Sequence, residues 1–384
     1  MSNSYDTVAD MLRATDPQLP VYCVYPQVYQ KSTRHFLDGF PGRVLYAVKA
    51  NNHPLVVEQL YAAGVRNFDC ASLPEIELVS RICPDPTIYF MNPVRLNGHA
   101  RTAQREFGVR HFVVDHHSAL EPLVDEIDPK RAVIFARMAV SHASAQEDLS
   151  AKYGAKPANV PALLTAIQAS GAEPALAFNV GTGVTDPEGY AYAIGVAKDL
   201  MAKLPFKIRL LDIGGGFPKS YPGYDVPALD QYFARTRQAA EDLPLKDGGE
   251  LLSEPGRALS APGLSALTRV LLRKTDRLYL NDGMYGAFWE LRFHAHLEYP
   301  CQAFRNGVAM TGKTKHFRLF GPTCDSQDEM PARVALPEDI EVGDHIEFGS
   351  IGAYSLSGRT DFNGFYSDEV VSITGASARP PGYT

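Results

Sequence analysis

The run Val44-Leu45-Tyr46-Ala47-Val48-Lys49 is apolar at five consecutive positions and then stops on a charged side chain. A strand with one wet face alternates, whereas a continuous apolar run reads as a strand buried on both faces, as in a parallel sheet covered by helices. Working outward, seven further runs of this kind fall at 67–69, 87–90, 111–114, 132–136, 175–180, 209–212 and 250–253, with helix-like stretches between them. Eight strand–helix units within about 250 residues predict a (β/α)8 barrel. The rival, a doubly wound open sheet, would place Gly-x-Gly-x-x-Gly after its first strand, and none stands there.

Beyond Arg257 the texture changes. The segments 269–272, 277–280, 316–319 and 345–348 are short strands separated by Gly, Pro and Asp turns without amphipathic helices, which reads as an all-β domain. The segment 21–25, just before a helix, is expected to add a strand to it. The expected organisation is therefore α/β: a barrel over 27–262, a β-domain from 1–26 plus 263–384, and a loose tail at 376–384.

The composition excludes several functions. A chain of 384 residues, 45% hydrophobic and 21% charged, can bury large cores, and 37 basic against 44 acidic residues leave a formal charge of −7. Nothing there favours nucleic acid or an anionic membrane. No run approaches the roughly 20 apolar residues of a membrane span, and the start Met-Ser-Asn-Ser lacks a leader's basic and apolar pattern, so a cytoplasmic protein is expected. Five scattered cysteines without a Cys-x-x-Cys pair read as reduced thiols. His116-His117 and His294-Ala295-His296 lack carboxylate–histidine spacing, so no metal is expected.

Active sites of such barrels lie at the carboxyl ends of the strands, and phosphate is commonly held after strands seven and eight. Lys49 closes the first strand; it is either a lysine leaving the core for solvent or an amine nucleophile in a desolvated pocket. Asp212-Ile213-Gly214-Gly215-Gly216 follows the seventh strand; it is either a plain turn or an anion cradle of backbone amides. Ser253-Glu254-Pro255-Gly256-Arg257 follows the eighth and brings a carboxylate. An amine, a phosphate cradle and an acid together describe a pyridoxal phosphate site.

These motifs resemble the fold-type III pyridoxal phosphate decarboxylases of ornithine, lysine and diaminopimelate, the eukaryotic-type ornithine decarboxylases above all, over 22–365. The resemblance implies that Lys49 carries the cofactor as a Schiff base and that Asp69, in Phe68-Asp69-Cys70-Ala71-Ser72, lies near it. It likewise implies Arg137 at the cofactor ring, Glu254 at the ring nitrogen, and Gly214, Gly215, Gly216, Gly256, Arg257 and Tyr354 around the phosphate. Gly321-Pro322-Thr323-Cys324-Asp325 resembles a loop that enters the neighbouring subunit, with Cys324 as proton donor and Asp325 binding substrate; Tyr285 and Phe362 join the substrate side. Lys152 and Asp328 resemble an ion pair between subunits. The implied assembly is a head-to-tail homodimer with shared sites, the β-domain contributing to its interface.

Two departures stand out. Asn179-Val180-Gly181-Thr182-Gly183 replaces the family's His-Val-Gly-Ser-Gly, whose imidazole stacks on the cofactor, leaving Asn179 and Thr182 to contact it. Where ornithine enzymes place an aspartate before His-Ala-His, Phe293 stands here with Arg292 beside it, and an arginine pairs with a carboxylate rather than an ammonium. Three readings stay open: an ornithine- or lysine-like decarboxylase of polyamine biosynthesis, a decarboxylase of a larger or carboxylated amino acid in a natural-product or siderophore pathway, and a non-catalytic homologue that binds a protein partner.

Overall fold

The computed structural model describes residues 3–383. They form two compact units, 33–219 with 226–258, and 3–32 with 220–225 and 259–383.

The first unit is a closed barrel of parallel strands taken in chain order: Arg43–Ala47, Asn67–Cys70, Thr87–Phe90, His111–Val114, Val133–Met138, Glu173–Phe178, Leu210–Asp212 and Glu250–Ser253, the last pairing back to the first. Side chains alternate along each strand, so Val133 with Phe135 and Ala175 with Ala177 point inward and pack with Tyr89, Leu45 and Leu252 as the barrel core. The foot is closed by charge pairs between neighbouring strands, Arg43 with Glu250 at 2.5 Å and Arg209 with Glu173 at 2.9 Å. Helices cover the outside. In Glu188–Met201, Tyr190, Ala193, Ile194, Ala197 and Met201 recur at helical spacing and are buried, and Tyr190 stacks on Phe217 at 4.6 Å. A two-stranded antiparallel sheet that the apolar runs did not reveal, Ala145–Glu147 against Thr182–Val184, stands apart from the barrel ladder.

The second unit is built on Leu264–Lys274, an 11-residue strand that pairs with Val21–Val24, His345–Phe348 and Arg277–Leu280. Strands Cys301–Arg305, Val334–Pro337 and Val370–Ile373 extend the sheet beyond those expected. The unit also holds a helix, Val8–Thr15, capped by the Thr7 side chain, which buries Val8, Met11 and Leu12. The tail expected to be loose is docked instead: Ala378 and Tyr383 pack on this core, and the Gln27 side-chain amide donates to the Ala378 carbonyl at 2.8 Å. Apolar contact and a satisfied carbonyl outweigh the Pro- and Gly-rich composition there. Among the described residues, no helix is long and apolar enough to cross a membrane.

Candidate active site

Four strand ends of the barrel are tied together by backbone contacts. Lys49 sits in a single 3-10 turn, Val48–Ala50, directly after the first strand, and the Ala47 amide donates to the Pro255 carbonyl at 3.2 Å. The Glu254 amide donates to the Gly214 carbonyl at 2.8 Å. The loops approach so closely that a methyl at Gly214 would lie 2.6 Å from the Phe178 carbonyl oxygen, and one at Gly215 would lie 2.5 Å from that of Glu254. Gly214 and Gly216 also take positive φ, at 71° and 88°, so glycine is needed there on both counts. Asp69 and Arg137 reach the same end from the second and fifth strands.

Burial dominates the electrostatics. It pushes the Asp69 carboxyl well above the ordinary range, with the Glu254 charge adding to the effect and Lys49 and Arg137 opposing it. Glu254 is raised to about 8, first by burial and then by the Asp212 charge, while Lys49 and Arg137 pull it down. Asp212 is raised to about 7, burial again outweighing the amide of Gly214 that donates to its Oδ1 at 2.8 Å. Three buried carboxyl groups thus crowd around one lysine and one arginine, with the Asp212 and Glu254 side chains in direct contact. Three acids against two bases leave the set with an excess of carboxyl groups.

The pyridoxal phosphate chemistry fits that set. A protonated ring nitrogen would offset the excess of acid, and among the described residues no hydrogen bond engages the Gly215 and Gly216 amides, which leaves them for an anion. Asn179 does not point its amide away from its own loop: its Oδ1 accepts from the Gly181 amide at 3.0 Å. Thr182 opens the Thr182–Val184 strand of the small two-stranded sheet, and Gly256 directly precedes the short helix after the eighth strand, which begins at Arg257.

A second group of expected residues gathers in the β unit. The Arg292 guanidinium lies 4.1 Å from the centre of the Tyr285 ring, and Phe362 stacks on the same ring at 4.5 Å. The Tyr285 hydroxyl donates to Asp325 Oδ2. The Gln327 amide, the Tyr285 hydroxyl and the Arg292 charge together hold the Asp325 carboxyl below its ordinary range. Cys324 is exposed, with Sγ 3.4 Å from Asn363 Oδ1. Phe293 departs from this cluster: it is 60% exposed and packs beside Trp289 at 4.8 Å. Tyr354 takes a φ of 54°. Asp328, expected to meet Lys152 across subunits, is buried, with Oδ1 accepting from the Met284 amide at 2.7 Å and Oδ2 from the Thr323 hydroxyl at 2.7 Å.

Sequence reasoning missed two acids of the first group. Asp212 was seen only as the preface to the glycines. Glu75 accepts from the Ala71 amide at 2.7 Å and lies within the field of Lys49; the spacing Ser72-x-x-Glu75 at a helix start was the available signal.

Residues 27–261 match the family described as pyridoxal-dependent decarboxylase, pyridoxal binding domain. Antizyme inhibitor 2 of Xenopus laevis is 31% identical over 87% of this chain and 76% of its own length. Ornithine decarboxylase of Rattus norvegicus is 30% identical over 86% of this chain and 75% of its own length. The structure of lysine/ornithine decarboxylase from Vibrio vulnificus complexed with cadaverine superposes with a TM-score of 0.82 and 28% identity, covering 96% of this chain and 99% of that one. The chain belongs to the pyridoxal-dependent decarboxylase family, as an ornithine decarboxylase-like, pyridoxal phosphate-dependent amino-acid decarboxylase.

Proposed function

We propose that this protein decarboxylates an α-amino acid whose far end is read by Asp325 and Arg292, working as a head-to-tail homodimer in which Cys324 and Asp325 of one subunit complete the barrel site of the other. The observation that carries the reading is the meeting of Lys49, Asp69, Arg137 and Glu254 at one end of the barrel beside the Gly214–Gly216 turn. Bound pyridoxal phosphate supplies the electron sink for the carbon that loses its carboxylate. Lys49 would hold the cofactor by its side-chain amine. Glu254 keeps a proton at the ring nitrogen, a task suited to an acid raised to about 8. Gly214, Gly215, Gly216, Gly256, Arg257 and Tyr354 hold the phosphate, while Asp69, Asn179 and Thr182 orient the ring. Cys324 returns a proton to the carbon.

The substrate reading rests on charge. Arg292 neutralises part of the Asp325 field and is shelved on Tyr285, an arrangement that receives a distal carboxylate better than a lone ammonium. We therefore favour a larger or carboxylated amino acid over ornithine or lysine. A carbon dioxide release screen over basic, acidic and conjugated amino acids, run with wild type and Arg292→Gln, is the test. Preferential turnover of an acid-bearing substrate that Arg292→Gln loses supports the reading; ornithine or lysine as the best substrate, indifferent to Arg292→Gln, overturns it. A protein that takes up no pyridoxal phosphate and releases no carbon dioxide would instead be a binding homologue.

A further inference from the structure

The sequence between the fifth and sixth strands contains Lys152-Tyr153-Gly154-Ala155, and the fold pins this stretch to the barrel rim from both sides. The Gly154 amide donates to Asp115 Oδ2 at 3.0 Å, just past the fourth strand. The Ala155 amide donates to the Arg137 carbonyl at 2.8 Å, and the Ala139 amide donates back to the Ala155 carbonyl at 2.8 Å, so Ala155 bridges in parallel to Met138 at the end of the fifth strand. Gly154, at φ 110°, lies so near the chain that a methyl there would stand 2.6 Å from the Ala139 nitrogen. This clamp leaves Tyr153 little freedom. Its ring lies under the Arg137 guanidinium, 5.4 Å from centroid to Cζ, with the Lys152 ammonium 5.1 Å from the same ring.

We propose that Tyr153 is a positioning residue for Arg137: the clamped ring gives the guanidinium an aromatic shelf and fixes its direction over the buried carboxyl cluster, so that cofactor retention depends on Tyr153 through Arg137 alone. Arg137 lies within the fields of Asp69, Asp212 and Glu254, all of which it lowers. Without the shelf a long, flexible side chain has many ways to meet three acids and must lose that freedom when the cofactor binds. The inference rests on the reading of Arg137 as a cofactor contact.

The test is a double-mutant cycle read by the dissociation constant of pyridoxal phosphate, followed by its visible absorbance on titrating apoprotein, in wild type, Tyr153→Phe, Tyr153→Leu, Arg137→Met and Tyr153→Leu/Arg137→Met. A cation–π contact of this kind corresponds to about threefold to thirtyfold weaker binding for Tyr153→Leu. Tyr153→Phe, which keeps the ring, should bind as wild type, and Tyr153→Leu should cost nothing further once Arg137 is Met. Equal losses in both backgrounds would make Tyr153 a general support of the rim and overturn the proposal, as would a Phe variant as weak as Leu. If Arg137→Met itself binds cofactor as wild type does, the reading of Arg137 and this inference fail together; if Arg137→Met is weak and Tyr153→Leu is not, only the shelf fails.

Discussion

At the scale of single residues, the barrel mouth is governed by what burial does to acids. Glu254 is the clearest case: raised to about 8 by desolvation and the neighbouring Asp212, it suits a shared proton and has no simple neutral substitute. Glu254→Gln keeps the shape and removes the acid. The expected result is an enzyme that still colours with pyridoxal phosphate but turns over roughly 10² to 10⁴ times more slowly, measured as carbon dioxide release. Turnover within a few-fold of wild type would remove Glu254 from the chemistry. Gly216 makes a complementary case, because at φ 88° a methyl there would collide with the Gly181 carbonyl oxygen. Gly216→Ala should lower the stability of the apoprotein by roughly 1–3 kcal/mol in thermal or denaturant unfolding, and should weaken cofactor binding as well. An unchanged unfolding midpoint would mean that the rim loops have more slack than their contacts indicate.

At the scale of elements, the β unit carries a buried acid of its own. Glu347, in the strand His345–Phe348, accepts from the Tyr25 hydroxyl at 2.5 Å and the Ser265 hydroxyl at 2.6 Å, and burial raises it to about 7. An acid whose folded pKa is raised holds its proton in the native state after the unfolded chain has released it. Its contribution is therefore complete below the ordinary glutamate range and is lost as pH climbs through about 7. Across that window wild type should lose about 1.4 kcal/mol per pH unit relative to Glu347→Gln, read as the difference between their unfolding free energies from pH 5 to 7. Parallel pH profiles for the two proteins would show that Glu347 ionises as freely when folded as when unfolded.

The same scale shows what could be read in the sequence. All eight barrel strands were legible because each is buried on both faces and so appears as an apolar run between helices; His111–Val114 and Glu250–Ser253 begin and end where expected. Cys301–Arg305 and Val334–Pro337 were not legible, since the first has neither an unbroken apolar run nor a regular alternation and a proline ends the second. Lys49, the glycine turn and Glu254 could be found because each breaks the pattern at a strand end. Asp212 could not be seen as a member of the site, and Glu75 only as a helix-start residue, because their place in the site depends on what folds against them. The docking of 376–383 likewise depends on partners hundreds of residues away, such as Gln27.

At the scale of the whole molecule, Cys324 and Lys49 belong to different compact units, and the proposed homodimer joins them between subunits. Lys49→Ala and Cys324→Ala proteins, each nearly inactive, should regain activity when mixed under conditions that allow subunit exchange. One of the two sites in a hybrid dimer then has both groups intact, so recovery approaches about one quarter of wild type when subunits mix at random and each site works alone. Exchange demonstrated by mass measurement, with no recovered activity, would restrict each site to a single chain.

The catalytic reading depends on one amine, Lys49, directly after the first strand. Its direct measurement is borohydride reduction of the pyridoxal phosphate-loaded protein, followed by peptide mass mapping. The expected result is the reduced cofactor mass on the peptide containing Lys49 and the loss of visible colour in Lys49→Ala. Label on another lysine, with Lys49 unmodified, would contradict it.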